Sequence, residues 1–182
     1  DCWFGANVVV CPGVTIGDGA VVAPGAVAQT AVFVRRLGGN KAFILADENT
    51  FAAAGPQVLA SLETYGVPYT LYLYPGERIE PDEKTVGSAV LHFDDTCDIL
   101  VSVGSGVLND TGKILAGMRK LPYLCVATAP SMDGFASSTS SVIRDRLKVS
   151  VNSRCPDAVI GDTDILKAAP KIMLLSGLGD ML

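Results

Sequence analysis

The sequence lacks the features that several classes of protein require. It has one histidine and one tryptophan, and 19 acidic residues outnumber 14 lysines and arginines, which gives a net charge of −5. Without a basic cluster, nucleic acid is not expected as a partner. No apolar run approaches the roughly 20 residues of a membrane helix, and the first residues lack the basic start and apolar core of a signal peptide. We therefore expect a cytoplasmic protein that does not bind a membrane.

Cysteine is also scarce, with five residues at positions Cys2, Cys11, Cys97, Cys125 and Cys155. They are scattered, odd in number and without the pair spacing of a metal site, so we expect small buried side chains. Apolar residues make up 49% of the chain and charged residues 18%, which is typical of a folded protein. A length of 182 residues allows one domain, or one domain with an appendage.

A repeat of six residues occupies positions 4–27. In each unit an apolar residue is followed by a small one, and glycine or asparagine comes two positions after that. The apolar positions are Phe4, Val10, Ile16 and Val22. This period predicts the short flat sides of a left-handed parallel β-helix, because glycine and asparagine tolerate the unusual turn dihedrals. A β-hairpin punctuated by glycine is the alternative.

The run at 7–27 resembles the last coils of the hexapeptide-repeat acyltransferases, which include sugar and maltose O-acetyltransferases. It amounts to little more than one coil, and a single coil has no neighbour to stack on. That family uses a catalytic histidine upstream of such a run, and no histidine precedes it in this sequence. We therefore expect residues 1–28 to be a short hexapeptide-repeat fragment.

From residue 41 onward the pattern changes to alternating strands and helices. Residues 29–40 are interpreted as a junction ending in a Gly-Gly turn. Strands are predicted at 42–46, 69–74, 98–103 and 122–128, helices at 55–65, 81–93, 108–118 and 170–181, and a hairpin at 138–151. Continuous apolar strands separated by helices indicate a parallel sheet with helices on both faces. The predicted fold is α/β and Rossmann-like.

Three loops follow predicted strands at the edge where parallel sheets bind ligands. The first begins with Asp47, whose carboxylate suits either nucleotide ribose hydroxyls or a helix cap, for which Asn49 is also a candidate. The second, at 104–113, has glycines that either let a pyrophosphate approach a helix start or form a plain tight turn. The third, at 128–137, is rich in hydroxyls and suits either a ligand or capping turns.

Two other polar features are less specific. Asp110 and Lys113 are three residues apart in a predicted helix, which is the spacing of an ion pair. The single histidine, His92, falls in a predicted helix before the second loop. We expect it to be an ordinary surface or core residue.

Four strings in this part of the chain resemble the superfamily of iron-type alcohol dehydrogenases, glycerol dehydrogenases and dehydroquinate synthases. Within it the resemblance is strongest to the sn-glycerol-1-phosphate dehydrogenase family. The strings are ADENTFAAAG at 46–55, GSGVLNDTGK at 104–113, TAPSMDGFASS at 128–138 and SGLGDML at 176–182. The resemblance implies a dehydroquinate synthase-like N-terminal domain over residues 41–182.

The resemblance also implies a role for individual residues. The pyrophosphate of NAD or NADP would be held by Gly104, Ser105, Gly106, Val107 and Leu108. The nicotinamide-side phosphate and ribose would be held by Thr128, Ala129, Pro130 and Ser131. Ser137 and Asp47 would add cofactor contacts, and Asp133 would bind the substrate hydroxyls. Asp180 would be a metal ligand that also touches substrate, so that Asp133 and Asp180 are the expected catalytic residues. Ser105 departs from the glycine usual in the family, and its Cβ would crowd the cofactor.

The chemistry implied is hydride transfer between dihydroxyacetone phosphate and sn-glycerol 1-phosphate. A divalent metal, zinc, nickel or iron, would act as a Lewis acid, and the cofactor would supply the hydride. The family's two histidine ligands and its basic phosphate-binding residues are expected downstream of Asp180. We therefore expect a truncated dehydrogenase with weak or no activity and with exposed apolar surface, which favours a homo-oligomer.

Other functions are kept as alternatives. Within the superfamily they are glycerol dehydrogenase and 3-dehydroquinate synthase. From another class, a hexapeptide-repeat acyltransferase fragment would trimerise and bind acyl-CoA. A module without catalytic activity is the third alternative.

Overall fold

The structure is a computed structural model that describes residues 3–4, 20–76 and 78–180. Most of the hexapeptide pattern, together with Cys2 and Cys11, lies outside these residues. The described residues form nine strands: β1 Trp3–Phe4, β2 Ala20–Ala23, β3 Ala42–Asp47, β4 Tyr69–Tyr74, β5 Ile99–Val103, β6 Tyr123–Ala127, β7 Thr139–Arg144, β8 Leu147–Asn152 and β9 Ala158–Asp162. Within the same ranges there are six α-helices: α1 Thr30–Arg36, α2 Glu48–Thr64, α3 Glu83–His92, α4 Gly106–Arg119, α5 Thr163–Ala168 and α6 Lys171–Asp180. Short 3-10 helices occur at Ala26–Gln29 and Gly134–Ala136.

Seven strands form one parallel sheet in the order β1-β2-β9-β6-β5-β3-β4. Every residue of β5 and β6 is buried, as a continuous apolar strand in a sheet covered on both faces must be. The predicted Rossmann-like α/β fold is confirmed.

Helices cover both faces of the sheet. On one face, α1 and α2 bury Val34, Val58 and Leu62 against one side of β3 and β5. On the other face, α3 and α4 bury Ala89 and Leu115 against the opposite side. The predicted hairpin is confirmed as the antiparallel pair β7–β8, which lies beside α4.

Two of the predicted helices begin earlier in the structure than the sequence indicated. The helix predicted at 55–65 begins seven residues earlier, at Glu48, because Asp47 and Thr50 form a capping box. The helix predicted at 108–118 begins at Gly106, directly after the glycine-containing turn. Cys97 and Cys125 are buried as expected, whereas Cys155 is exposed because it follows β8 in a surface loop. No helix within the described ranges is long and apolar enough to span a bilayer.

Residues 20–40 are part of the same sheet and helical layer. Strand β2 pairs along its whole length with β9, and residues 30–36 of the predicted junction form α1. The carboxylate of Asp162, at the end of β9, accepts hydrogen bonds from the backbone N–H groups of Gly25 (3.2 Å) and Val27 (3.1 Å). The division of the chain into 1–28, 29–40 and 41–182 stays a prediction.

Candidate functional site

The sheet has a topological switch point between β3 and β5. From β3 the chain crosses by α2 to β4 on one side, and it returns by α3 to β5 on the other side. The register pairs Leu45 with Ser102, so Asp47 and Gly104, each two residues further on, emerge side by side. Ligands of open parallel sheets bind in the crevice at this position.

Helix α4 begins at this crevice without a side-chain cap. Ser105 is its N-cap residue, but the serine hydroxyl makes no capping hydrogen bond. The first N–H groups of the 14-residue helix are therefore left for another acceptor, and the helix dipole favours an anion there. The residues of the turn fit a cofactor pyrophosphate.

Gly104 and Gly106 are glycines for different reasons. A Cβ on Gly104 would lie 2.4 Å from the Cδ1 of Leu108, so Gly104 is required for packing. A Cβ on Gly106 would meet no atom of the described residues within 4 Å, so these residues leave open space in front of the helix. The Leu108 side chain belongs to the buried core, so only the backbone N–H of this residue is available for the predicted cofactor contact. Val107 is half-buried in the same turn.

The loop after β6 lies next to this turn. Gly104 donates its backbone N–H to the carbonyl oxygen of Val126 (2.9 Å), which brings the ends of β5 and β6 together. Beyond β6, the hydroxyl of Ser131 donates to that of Ser105 (3.3 Å). Thr128 and Ala129 are buried, while Pro130 and Ser131 are half-buried at the crevice. The structure thus brings the two predicted cofactor loops into contact.

The rest of the third loop carries the predicted substrate residue. Asp133 is exposed, and its side chain does not cap the 3-10 helix that follows. The Ser137 hydroxyl lies 2.8 Å from that of Thr139 and accepts the Thr139 N–H (3.1 Å). Ser137 therefore forms a local turn, which was one of the two readings of this loop.

Asp47 is a helix cap in the structure. Its Oδ1 accepts the N–H of Thr50 (2.8 Å), and the Thr50 hydroxyl oxygen accepts the N–H of Asp47 (3.1 Å). Asn49 is not the cap. A contact between Asp47 and ribose stays a prediction, since its position beside Gly104 is compatible with both roles.

The described residues do not fit a catalytic metal. Asp180 is exposed at the end of α6, and no group of three or more His, Cys, Asp or Glu side chains among the described residues is arranged to hold an ion. Protein sites of this kind use about three protein ligands. His92 is an exposed residue whose ring stacks on Tyr72 (4.3 Å between centroids), as expected of an ordinary surface histidine.

A buried polar network that sequence reasoning missed locks α4 to the sheet. The hydroxyls of Tyr123 and Ser102 lie 2.6 Å apart, and Tyr123 also donates to the Asn109 side chain (3.1 Å). All three residues are fully buried, and burial raises the pKa of Tyr123 well above its usual value. A tyrosine at the start of an otherwise apolar strand was the available signal, because a buried phenol requires a partner.

The predicted Asp110–Lys113 pair is confirmed at 3.5 Å, but it does not lie on the surface. The Lys113 side chain has no solvent exposure and that of Asp110 has 14%. Burial raises the pKa of Asp110, while Lys113 acts in the opposite direction. Two clefts lie elsewhere: one of about 590 Å³ between α2 and α5, and one of about 930 Å³ between α3, α4 and the hairpin. Neither is lined by the three loops, apart from Lys113 itself.

Comparisons with known proteins agree with this geometry. The family model of iron-containing alcohol dehydrogenases matches residues 21–170, which starts before the residue 41 expected from sequence, and the bacterial transferase hexapeptide family matches residues 1–28. Glycerol-1-phosphate dehydrogenase [NAD(P)+] of Geobacillus thermodenitrificans is 34% identical over 88% of this chain and 41% of its own. The enzyme of the same name from Methanosarcina acetivorans is 33% identical over 81% of this chain and 40% of its own.

Solved structures show the same fold. Glycerol dehydrogenase from Schizosaccharomyces pombe has a TM-score of 0.77 at 23% identity, covering 92% of this chain and 42% of its own. NADH-dependent butanol dehydrogenase A from Thermotoga maritima has a TM-score of 0.78 at 18% identity, covering 96% and 48%. The chain thus spans about two fifths of the curated relatives it matches.

Proposed function

The chain belongs to the iron-containing alcohol dehydrogenase family, and we propose that its crevice at the switch point binds NAD or NADP. The observation that carries this proposal is the uncapped N-terminus of α4 with open space at Gly106. A pyrophosphate placed there accepts the free N–H groups of the first turn. The family model covers all of this region, and the curated relatives named above are NAD(P)+ enzymes.

The roles of individual residues follow from this placement. Gly104 to Leu108 hold the pyrophosphate through the backbone, and the Ser105 hydroxyl lies at its edge. Thr128 to Ser131, joined to that turn by the Ser131–Ser105 bond, hold the nicotinamide-side ribose and phosphate. When bound, the nicotinamide ring supplies or accepts the hydride. Exposed Asp133 binds a substrate hydroxyl.

We propose that the substrates are dihydroxyacetone phosphate and sn-glycerol 1-phosphate. The names of the curated relatives, at 31–34% identity, support this pair over glycerol or dehydroquinate. Asp180 is the one predicted metal ligand among the described residues, and the residues around it do not complete a metal site. A cytoplasmic location stays a prediction. The match of residues 1–28 supports the hexapeptide origin of that segment, and we propose no transferase activity from it.

Calorimetric titration of the purified chain with NADH and NADPH tests the cofactor proposal. Gly106→Trp places an indole in the open space before α4 and is expected to abolish binding without disturbing the core. The matched control is Gly117→Trp, near the other end of the same helix, where a Cβ also meets no atom within 4 Å. Binding that is equal in the two variants, or no saturable binding by a folded wild-type chain, would contradict the proposal.

A further inference from the structure

Lys113 is a charged residue with no solvent exposure in the middle of α4. Its ammonium group donates to the carbonyl oxygens of Gly134 (2.6 Å) and Thr139 (3.0 Å) and lies 3.5 Å from Oδ1 of Asp110. An ammonium group has three donors, and here all three have an acceptor. A buried charge is tolerated only when it is paired and hydrogen bonded in this way.

The two carbonyl groups lie on either side of the segment that carries Ser137, and the first directly follows Asp133. Neighbouring residues of α4 hold the same segment. The Asn109 amide donates to the Gly134 carbonyl oxygen (3.4 Å), and Oδ2 of Asp110 accepts the N–H of Ser141 (3.2 Å). Both ends of the segment are therefore held by side chains from successive turns of one helix.

We propose that Lys113 is a positioning residue that fixes the segment 134–139, and with it the adjoining Asp133, relative to the start of α4. The first turn of α4 is the proposed pyrophosphate site, and Lys113 lies two turns further along the same helix. The helix is itself locked to the sheet by the Tyr123–Asn109 bond. One rigid element thus sets the distance between the cofactor site and Asp133. The consequence for ligands rests on the proposed function, whereas the consequence for the segment does not.

Hydrogen exchange of backbone amides tests the positioning role without any ligand. Lys113→Met keeps a straight side chain and removes the ammonium group. We expect amide exchange in residues 134–139 to become about 10-fold faster or more, because bonds to a charged donor are lost. Exchange in β5 and β6 is expected to stay the same. Unchanged exchange in 134–139, or faster exchange throughout the sheet, would overturn the proposal.

A neutral pair separates the loss of the bonds from an unpaired buried carboxylate. Asp110→Asn/Lys113→Met removes both charges, and it is expected to fold while keeping the fast exchange of the segment. If both variants fail to fold, hydrogen exchange of the wild-type chain tests the positioning role instead. Residues 134–139 are then expected to open together with α4, with similar protection, and a segment that exchanges far faster than α4 would overturn the proposal.

Two ligands separate positioning from general destabilisation. ADP carries a pyrophosphate for the start of α4 but has no nicotinamide half, so its Kd is expected to change less than about 2-fold in Lys113→Met. The Kd of NADH is expected to rise about 5-fold or more, since its other half lies against the displaced loop. Equal losses for both ligands would overturn the positioning role. A wild-type chain that binds neither ligand refutes the proposed cofactor function, and the exchange experiment still decides the role of Lys113.

Discussion

Gly177 of α6 lies directly against the carbonyl group of Pro130. A Cβ added to Gly177 would lie 1.9 Å from the Pro130 oxygen and 2.9 Å from its carbonyl carbon. Both atoms belong to the backbone, so no side chain can rotate away to make room. Helix α6 therefore packs on the proposed cofactor loop only because residue 177 has no side chain.

Gly177→Ala is expected to separate α6 from this loop. We expect a loss of about 1–3 kcal/mol in the free energy of unfolding, which is typical of an added methyl group in a packed contact, and weaker NADH binding. Denaturant unfolding and calorimetry measure the two effects. Gly179→Ala is the matched control: its Cβ meets no atom within 4 Å, and the change is expected to stabilise the helix by about 0.5–1 kcal/mol. Equal stability of the two variants would contradict this account.

Tyr123→Phe tests the buried network at the start of α4. The change leaves the Ser102 hydroxyl and the Asn109 side chain without their shared partner in the core. We expect a loss of about 1–3 kcal/mol in unfolding free energy, the cost of leaving buried polar groups unsatisfied. Ser102→Ala/Tyr123→Phe should recover part of it. Tyr65→Phe, at an exposed tyrosine, should be neutral, and a comparable loss there would show that the network is not the cause.

The stability of the sheet edge is expected to depend on pH through the ionisation of Asp94. Hydrogen bonds from Lys41 (2.7 Å), Thr70 (2.6 Å) and Thr96 hold the pKa of its carboxyl group well below the usual value. A folded-state pKa below the unfolded value of about 3.9 gives stability that is present above that pH and is lost as the pH falls.

The measurement for Asp94 is the difference in Tm between the wild-type chain and Asp94→Asn. We expect this difference to be largest near neutral pH and to shrink below about pH 4, where the carboxylate of the unfolded chain begins to be protonated while that of the folded chain stays ionised. Asp95→Asn serves as the control, because Asp95 is a mostly exposed neighbour that pairs with Arg119. A Tm difference for Asp94→Asn that is constant with pH would contradict the assignment.

We expect copies of this chain to associate through the exposed apolar side chains of α6. Ile172, Leu175 and Leu178 are 71%, 52% and 50% exposed on one short helix, in line with the exposed apolar surface expected from the sequence, which had not been assigned to a position. Light scattering over a range of concentrations should show association that Ile172→Glu/Leu175→Glu reduces. Leu147→Glu, at an exposed leucine of the hairpin, should have no such effect. A wild-type chain that is monomeric at every concentration would count against this prediction.

Local patterns predicted the sheet, and tertiary contacts decided the rest. Apolar runs such as 42–46 and 98–103 are short, continuous and separated by helices, so the parallel sheet followed from local sequence. The position of the cofactor loops followed from the sheet. The role of Lys113 did not, because a lysine three residues after an aspartate is typical of a surface pair, and only the path of the third loop brings acceptors to it.

Strand β2 shows the same limit over a longer range. Its sequence continues a six-residue period, and nothing local indicates that its partner is β9. Asp47 illustrates the opposite case, in which one residue satisfies two local rules. The sequence predicted either a helix cap or a ribose contact for this residue, and the structure shows the helix cap.

Because β9 lies between β2 and β6, the order of synthesis determines when this corner of the sheet can close. Gly25 and its acceptor Asp162 are 137 residues apart. At about 5–20 residues per second, a ribosome needs roughly 7 to 27 s to make that stretch. During this interval the β9-facing edge of β2 has unpaired backbone groups, and the β9-facing edge of β6 adds its own once β6 has been made. The nascent chain therefore has an unpaired sheet edge until β9 emerges. A chaperone that binds exposed strand edges is expected to bind the chain mainly during this interval.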